Sequence, residues 1–162
     1  MKTSLITLSV IFALFISYFF ILGFISKSKI APGIINGQLS KCPDSPNCFC
    51  SEFKEDKNHY IAPIKILHKN TSSVETKTSL THIINKMGGT IQKEDKNYVA
   101  ATFTSTFFRF VDDLEIRIDH KQNVIHLRSA SRVGRGDFGV NKKRLDSFKK
   151  IYRNLTPAAD YN

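Results

Sequence analysis

Apolar positions are distributed unevenly along the chain, and each stretch has its own period. From Thr3 to Ser26 no side chain is charged, and a helix of that length at 1.5 Å per residue extends about 36 Å, more than the ~30 Å hydrocarbon core of a bilayer. The run is longer than the apolar part of a cleaved secretory signal and enters Gly23-Phe24-Ile25-Ser26-Lys27 without an A-x-A site. We expect an uncleaved transmembrane anchor over residues 3–26. Residues 27–41 contain Pro32, Gly33, Asn36 and Gly37 with no apolar period, the pattern of a linker. From about residue 42 to 155 the pattern becomes that of a folded domain. His59 to Leu67 is apolar but broken by Pro63, which allows at most an edge strand. Ser72 with Glu75 fits a capping box, and Leu80, Ile83, Ile84 and Met87 then recur at helical spacing up to Gly88-Gly89.

The next stretch predicts strands over residues 90–94, 98–106, 108–118 and 124–131, separated by short polar turns including Asp95-Lys96-Asn97 and His120-Lys121-Gln122-Asn123. Tight connections of this kind imply an antiparallel meander. A final helix is expected from Asn141 to Leu155, with Asn141, Leu145, Phe148 and Tyr152 on one face and most of the lysines off it. The fold class is therefore α+β: a single antiparallel sheet packed by two helices and preceded by one transmembrane helix.

Alternation within the last two strands constrains the side chains further. Leu114, Ile116 and Ile118 share one face, and Asp113, Glu115 and Arg117 the other; Ile125 and Leu127 are the matching core positions of the next strand. This sets Arg128 opposite an acid, Glu115 with a four-residue turn or Asp113 with a two-residue turn. Such a pair is either a cross-strand ion pair or an arginine whose remaining donors meet an anionic ligand.

Charge sharpens the picture. From Arg128 to Arg153 nine Lys or Arg face two Asp, whereas residues 41–127 are nearly balanced, so the domain's positive excess lies in one C-terminal segment. Beside a bilayer such a segment suits anionic lipid head groups, at about 1 kcal/mol per cation near the surface. An acidic partner is the other candidate. Nucleic acid is not expected, because the aromatics among these cations sit at core positions of the helix. The loop from Arg128 to Asn141 holds Gly134, Gly136 and Gly139, and with Arg128, Ser129, Ser131, Arg132, Asp137, Asn141 and Arg144 it forms the candidate ligand-binding set. Asp112, Asp113 and Glu115 are candidate carboxylate partners. A hydrolase using Asp112, Asp113 or Asp137 with Ser129 or Ser131 is the alternative, although neither serine lies in a G-x-S-x-G elbow.

Cysteine usage bears on the compartment. In an oxidising environment Cys42 and Cys48 can bridge a turn shaped by Pro43 and Pro46, leaving Cys50 over. Zinc would need His59 as a fourth ligand and an unusual C-x5-C-x-C spacing, so no metal and no cofactor are expected. Lys41 disfavours lipidation at Cys42. Lys2 on one side of the anchor and Lys27 with Lys29 on the other leave the charge rule for orientation nearly balanced. The short N-terminal tail resembles that of a signal anchor, which favours a domain on the periplasmic side of a bacterial inner membrane.

Cys42-Pro43-Asp44-Ser45-Pro46-Asn47-Cys48, Asp112-Asp113-Leu114-Glu115, Arg128-Ser129-Ala130-Ser131-Arg132-Val133-Gly134 and Asp137-Phe138-Gly139-Val140-Asn141-Lys142-Lys143-Arg144 together resemble the domain of unknown function 1499 family, over about residues 42–153. Cys50 stands where members commonly have Ser, and Arg135 where an aromatic is common. The resemblance implies no catalytic residues, because the family has none assigned.

Overall fold

The structure is a computed structural model that describes residues 2–66 and 73–155. It opens with α1 (Lys2–Ser28), followed by the short ribbon of β1 (Ile34–Ile35) and β2 (Gln38–Leu39), then β3 (Cys48–Cys50), β4 (Ile64–Lys65), α2 (Ser73–Lys86), β5 (Thr90–Glu94), β6 (Tyr98–Thr104), β7 (Val111–Asp119), β8 (Val124–Ser131) and α3 (Val140–Leu155). The fold is α+β with an N-terminal apolar helix, as the hydrophobic pattern predicts. The main sheet has the order β3-β8-β7-β6-β5, all antiparallel, and β4 pairs with the first residues of β8. The expected meander is its β5–β8 portion. Glu75 lies in the first turn of α2, while Ser72 lies outside the described residues, as do Leu67 and His68.

Each element follows from local chemistry and packing. Helix α2 ends where Gly88 takes a positive φ of 81° and Gly89 N donates to Ile84 O at 3.0 Å, a glycine C-cap. The four-residue turn between β7 and β8 is held by Gln122 N donating to Asp119 Oδ1 at 2.9 Å and by Asn123 in the left-handed region, which asparagine tolerates. Two edges differ from the sequence reading. The strand expected from residue 108 begins at Val111, because Phe108 and Phe110 pack against Phe19 of α1 instead of pairing in the sheet. Cys48–Cys50, too short to show alternation, forms the edge strand β3.

The sheet is covered on both faces. On one side α2 and α3 bury Leu80, Ile83, Ile84, Leu145, Phe148 and Tyr152 against Val99, Ala101, Leu114, Ile116, Ile118, Ile125 and Leu127. On the other, Leu39, Cys42, Ala31 and Phe53 pack over Tyr98, Ala100, Ala130, Cys48 and Cys50. The segment read from composition as a linker thus forms a lid on the sheet, with Leu39 fully buried. Its contacts are made with residues far along the chain, and local composition carries no trace of them. Cys42 and Cys48 are joined in a disulfide that ties this cover to β3, and Cys50 is a free, buried thiol.

Candidate functional site

Alternation in β7 and β8 divides their polar side chains between the two faces. Beneath the cover, Glu115 lies directly opposite Arg128, the register that a four-residue turn sets. Its carboxylate is 0% exposed and accepts from Gly33 N at 2.9 Å, Tyr98 Oη at 2.8 Å and Arg128 Nη1 at 2.7 Å. Burial, and next the Glu115 charge, push the Tyr98 phenol far above its ordinary range, so it stays a proton donor. Arg128 is itself buried, and its Nε has no partner among the described residues. Two residues away along β7 in each direction, on the same face, a pairing of opposite charges recurs. Asp113 accepts from Arg132 through Nε at 3.0 Å and Nη2 at 2.7 Å. Arg117 is paired with Glu52 through Nε at 2.7 Å and Nη2 at 3.1 Å, and with Asp119 at 3.1 Å.

His126 faces this second group. Its Nδ1 lies 3.1 Å from Ser51 Oγ and 3.7 Å from Glu52 Oε2, while its Nε2 is buried without a partner among the described residues. Desolvation, only partly offset by Glu52, holds its pKa below the ordinary histidine value. Serine and carboxylate address the same ring nitrogen, so the three are not arranged as a nucleophile, base and orienter. Glu52, Ser51, Tyr98 and Asn47 were not singled out by sequence pattern. The roles of Glu52, Ser51 and Asn47 depend on the fold of the 29–53 segment, and a lone acid, amide or serine there carries no period; Tyr98 opens β6 and its hydroxyl meets Glu115 across the strand pair.

On the helix side, near the ends of β7 and β8, a second cluster gathers the remaining candidates. Arg144 donates from Nη2 to Asp112 Oδ2 at 2.7 Å and from Nη1 to Ser129 Oγ at 3.0 Å and Asn141 Oδ1 at 2.5 Å. Its guanidinium lies over the Phe103 ring, 4.6 Å from the centroid. Ser129 Oγ is 2.5 Å from Asn141 Oδ1 and 3.1 Å from Asp113 O. Asn141 is fully buried and donates from Nδ2 to Asn47 O at 3.0 Å and Ser131 Oγ at 2.9 Å. Asn47 in turn donates to Gly134 O at 3.0 Å. Asp137 receives Asn141 N at 2.7 Å and Gly139 N at 3.0 Å, fixing the first turn of α3. Chemically these groups bind one another: each hydroxyl and carboxylate has partners, and among the described residues no imidazole pairs with Ser129 or Ser131.

Residues from the Cys42–Cys48, Asp112–Glu115, Arg128–Gly134 and Asp137–Arg144 segments therefore meet in two adjoining polar clusters. A family profile described as "Protein of unknown function (DUF1499)" matches residues 38–151. The chain belongs to the DUF1499 family. Among curated proteins none matches it. The DUF1499 match begins within β2, so it takes in part of the cover as well as the meander and both domain helices.

The surface of this DUF1499 domain is most distinctive at the end of the sheet where α1 stops. Val111 N donates to Ser26 Oγ at 3.1 Å, Arg132 Nη1 to Ser26 O at 3.4 Å, and Lys29 Nζ to Arg132 O at 3.0 Å. From that point the 132–139 loop emerges with Arg135 exposed and Phe138 100% exposed. Lys142 and Lys143 follow, both exposed, in the first turn of α3. Helix α1 itself is long and apolar enough to cross a membrane, with none of its most apolar window buried. Among the described residues no group of three or more His, Cys, Asp or Glu is placed to hold a metal ion.

Proposed function

We propose that this protein is a single-pass membrane protein whose DUF1499 domain lies outside the cytoplasmic membrane and acts as a non-catalytic binding module, its Arg-rich loop resting on anionic lipid head groups. The observation that carries the reading is the junction of Ser26, Lys29 and Arg132, which sets the start of the 132–139 loop beside the end of α1. A side chain emerging there meets the head-group layer if α1 spans the bilayer. Arg135, Lys142 and Lys143 supply exposed charge, and Phe138 an exposed ring, a combination suited to an anionic interface. In this reading Arg128, Arg132 and Arg144, with Asp112, Asp113 and Glu115, hold the loop in place, and Ser129, Ser131, Asp137 and Asn141 fix its return into α3. The disulfide between Cys42 and Cys48 supports an oxidising, periplasmic location. The pairing of Ser129 with Asn141 and Arg144 speaks for a structural hydroxyl over a hydrolytic one.

The chain has no tryptophan, so Phe138→Trp gives a single reporter in the full-length protein. In nanodiscs its emission should shift to the blue when part of the zwitterionic lipid is replaced by phosphatidylglycerol. Raised salt, or Arg135→Glu with Lys143→Glu, should reverse the shift, because exposed charges are screened beyond about 8 Å at physiological ionic strength. Identical spectra in neutral and anionic bilayers would rule out the head-group contact; retention of the shift in the charge-reversed variant would remove the role of the cations.

A further inference from the structure

The turn between β6 and β7 carries Phe107-Phe108-Arg109-Phe110, a concentration of aromatics that neither core uses. Phe108 lies 5.1 Å from the Phe19 ring and 5.4 Å from Phe20, and Phe107 lies 5.9 Å from Phe20. Phe110 completes the group at 6.4 Å from Phe19. The backbones also meet. A Cβ on Gly23 would come within 1.8 Å of Phe108 O, so the glycine is what lets helix and turn approach, as small residues do in membrane helix packing. We infer that this turn is a second membrane element, a hairpin tip that enters the hydrocarbon layer alongside α1. The inference rests on the reading of α1 as a membrane-spanning helix.

Depth decides the matter. Phe20 precedes Ser26 by six residues, about 9 Å of helix axis, and Ser26 is the last uncharged residue of the apolar run. A turn stacked on Phe19 and Phe20 is therefore carried below the head groups whenever α1 spans. The exposed rims match that environment: Phe107 is 67% exposed and Phe20 46%, forming one continuous apolar surface with the outer face of α1. Water would leave this surface unburied, and lipid would cover it. The ends of the turn are closed on each other, which removes some of the main-chain groups that lipid would leave without partners. Ser105 N donates to Phe110 O at 2.8 Å, and Phe110 N to Ser105 Oγ at 2.9 Å. Arg109 is exposed with a φ of +61°, and its long stem can carry the guanidinium back to lipid phosphate while the neighbouring rings stay in the acyl chains.

The test uses single-tryptophan variants of the full-length chain in phosphatidylcholine vesicles whose acyl chains are brominated at mid-depth. Phe107→Trp, at an exposed position, should be quenched about twofold or more, as expected for a group inside the ~30 Å hydrocarbon core. Phe12→Trp in α1 reports the anchor, and Val74→Trp, exposed on α2, reports bulk water. If Phe12→Trp is quenched and Phe107→Trp behaves like Val74→Trp, the hairpin tip stays outside and the inference is overturned while the anchor stands. If Phe12→Trp is also unquenched, α1 does not span and both readings fall. Lipid of zero net charge makes the outcome independent of the anionic head-group contact proposed above.

Discussion

Replacing Glu115 by Gln changes one atom at the centre of the covered face and should be among the most damaging conservative substitutions in the protein. The carboxylate is fully buried and serves three donors, two on Oε1 and one on Oε2. A glutamine amide can present its oxygen to only one of these sets. Facing Tyr98 and Gly33, it turns its NH2 toward Arg128, whose buried guanidinium then opposes a donor and has no compensating charge; Asp113 is already held by Arg132. Breaking a buried pair by removing one partner costs about 3–5 kcal/mol. At roughly 3 °C per kcal/mol for a protein of this size, the melting temperature should fall by about 10–15 °C. The assay is urea and thermal unfolding of the full-length protein in detergent, followed by near-UV circular dichroism. Hydrogen exchange should rise around Gly33, which loses its carboxylate acceptor. Arg128→Met in the Glu115→Gln background should recover much of the loss, because it removes the stranded charge. A Glu115→Gln protein within about 1 kcal/mol of the wild type, with no coupling to Arg128, would refute the claim that this pair is desolvated.

Two further substitutions probe neighbouring parts of the structure. Gly23→Val should drive α1 away from the Phe108 main chain and speed trypsin cleavage at Lys27 and Lys29 several-fold, with little change in the domain's unfolding midpoint; unchanged cleavage would mean that the helix and turn are not in contact. His126 has its folded pKa depressed by desolvation, with Glu52, Arg117 and Asp119 as its charged neighbours. Below an unfolded value near 6.5 the unfolded chain binds the proton more readily, so this contribution to stability is fully present above that pH and is lost as the pH falls toward the folded pKa. His126→Gln should flatten the stability profile below about pH 6.5, measured by urea midpoints; an equally steep wild-type and variant profile would assign the pH dependence elsewhere.

Much of the meander was legible because two-residue periods survive burial. Leu114, Ile116 and Ile118 against Ile125 and Leu127, with a four-residue turn, are enough to set Glu115 opposite Arg128, the observed register. The face of α3 with Asn141, Leu145, Phe148 and Tyr152 was legible for the same reason, and all four are buried. The covering of the second face was not. A face carrying Asp113, Glu115, Arg117, His126 and Arg128 looks solvated, and only ion pairing, with residues as distant as Glu52, and the hydrogen bond from Gly33 N allow it to be buried. Leu39 is a single apolar residue among polar ones, so the cover it anchors leaves no periodic signal. Phe108 and Phe110 were absorbed into a predicted strand because their apolar character fits a sheet as well as it fits packing against α1.

The claim on which location and function both depend is that α1 remains attached and holds the DUF1499 domain in an oxidising compartment. Intact-mass spectrometry of protein from membranes alkylated before and during denaturation, without reductant, tests it most directly. Burial pushes the Cys50 thiol up to about 11, so it should be modified only on unfolding. The account predicts a chain that keeps residues 2–28, carries one alkyl group at Cys50 and retains the Cys42–Cys48 disulfide. A species lacking its first thirty or so residues, or one alkylated at Cys42, Cys48 and Cys50 alike, would contradict it.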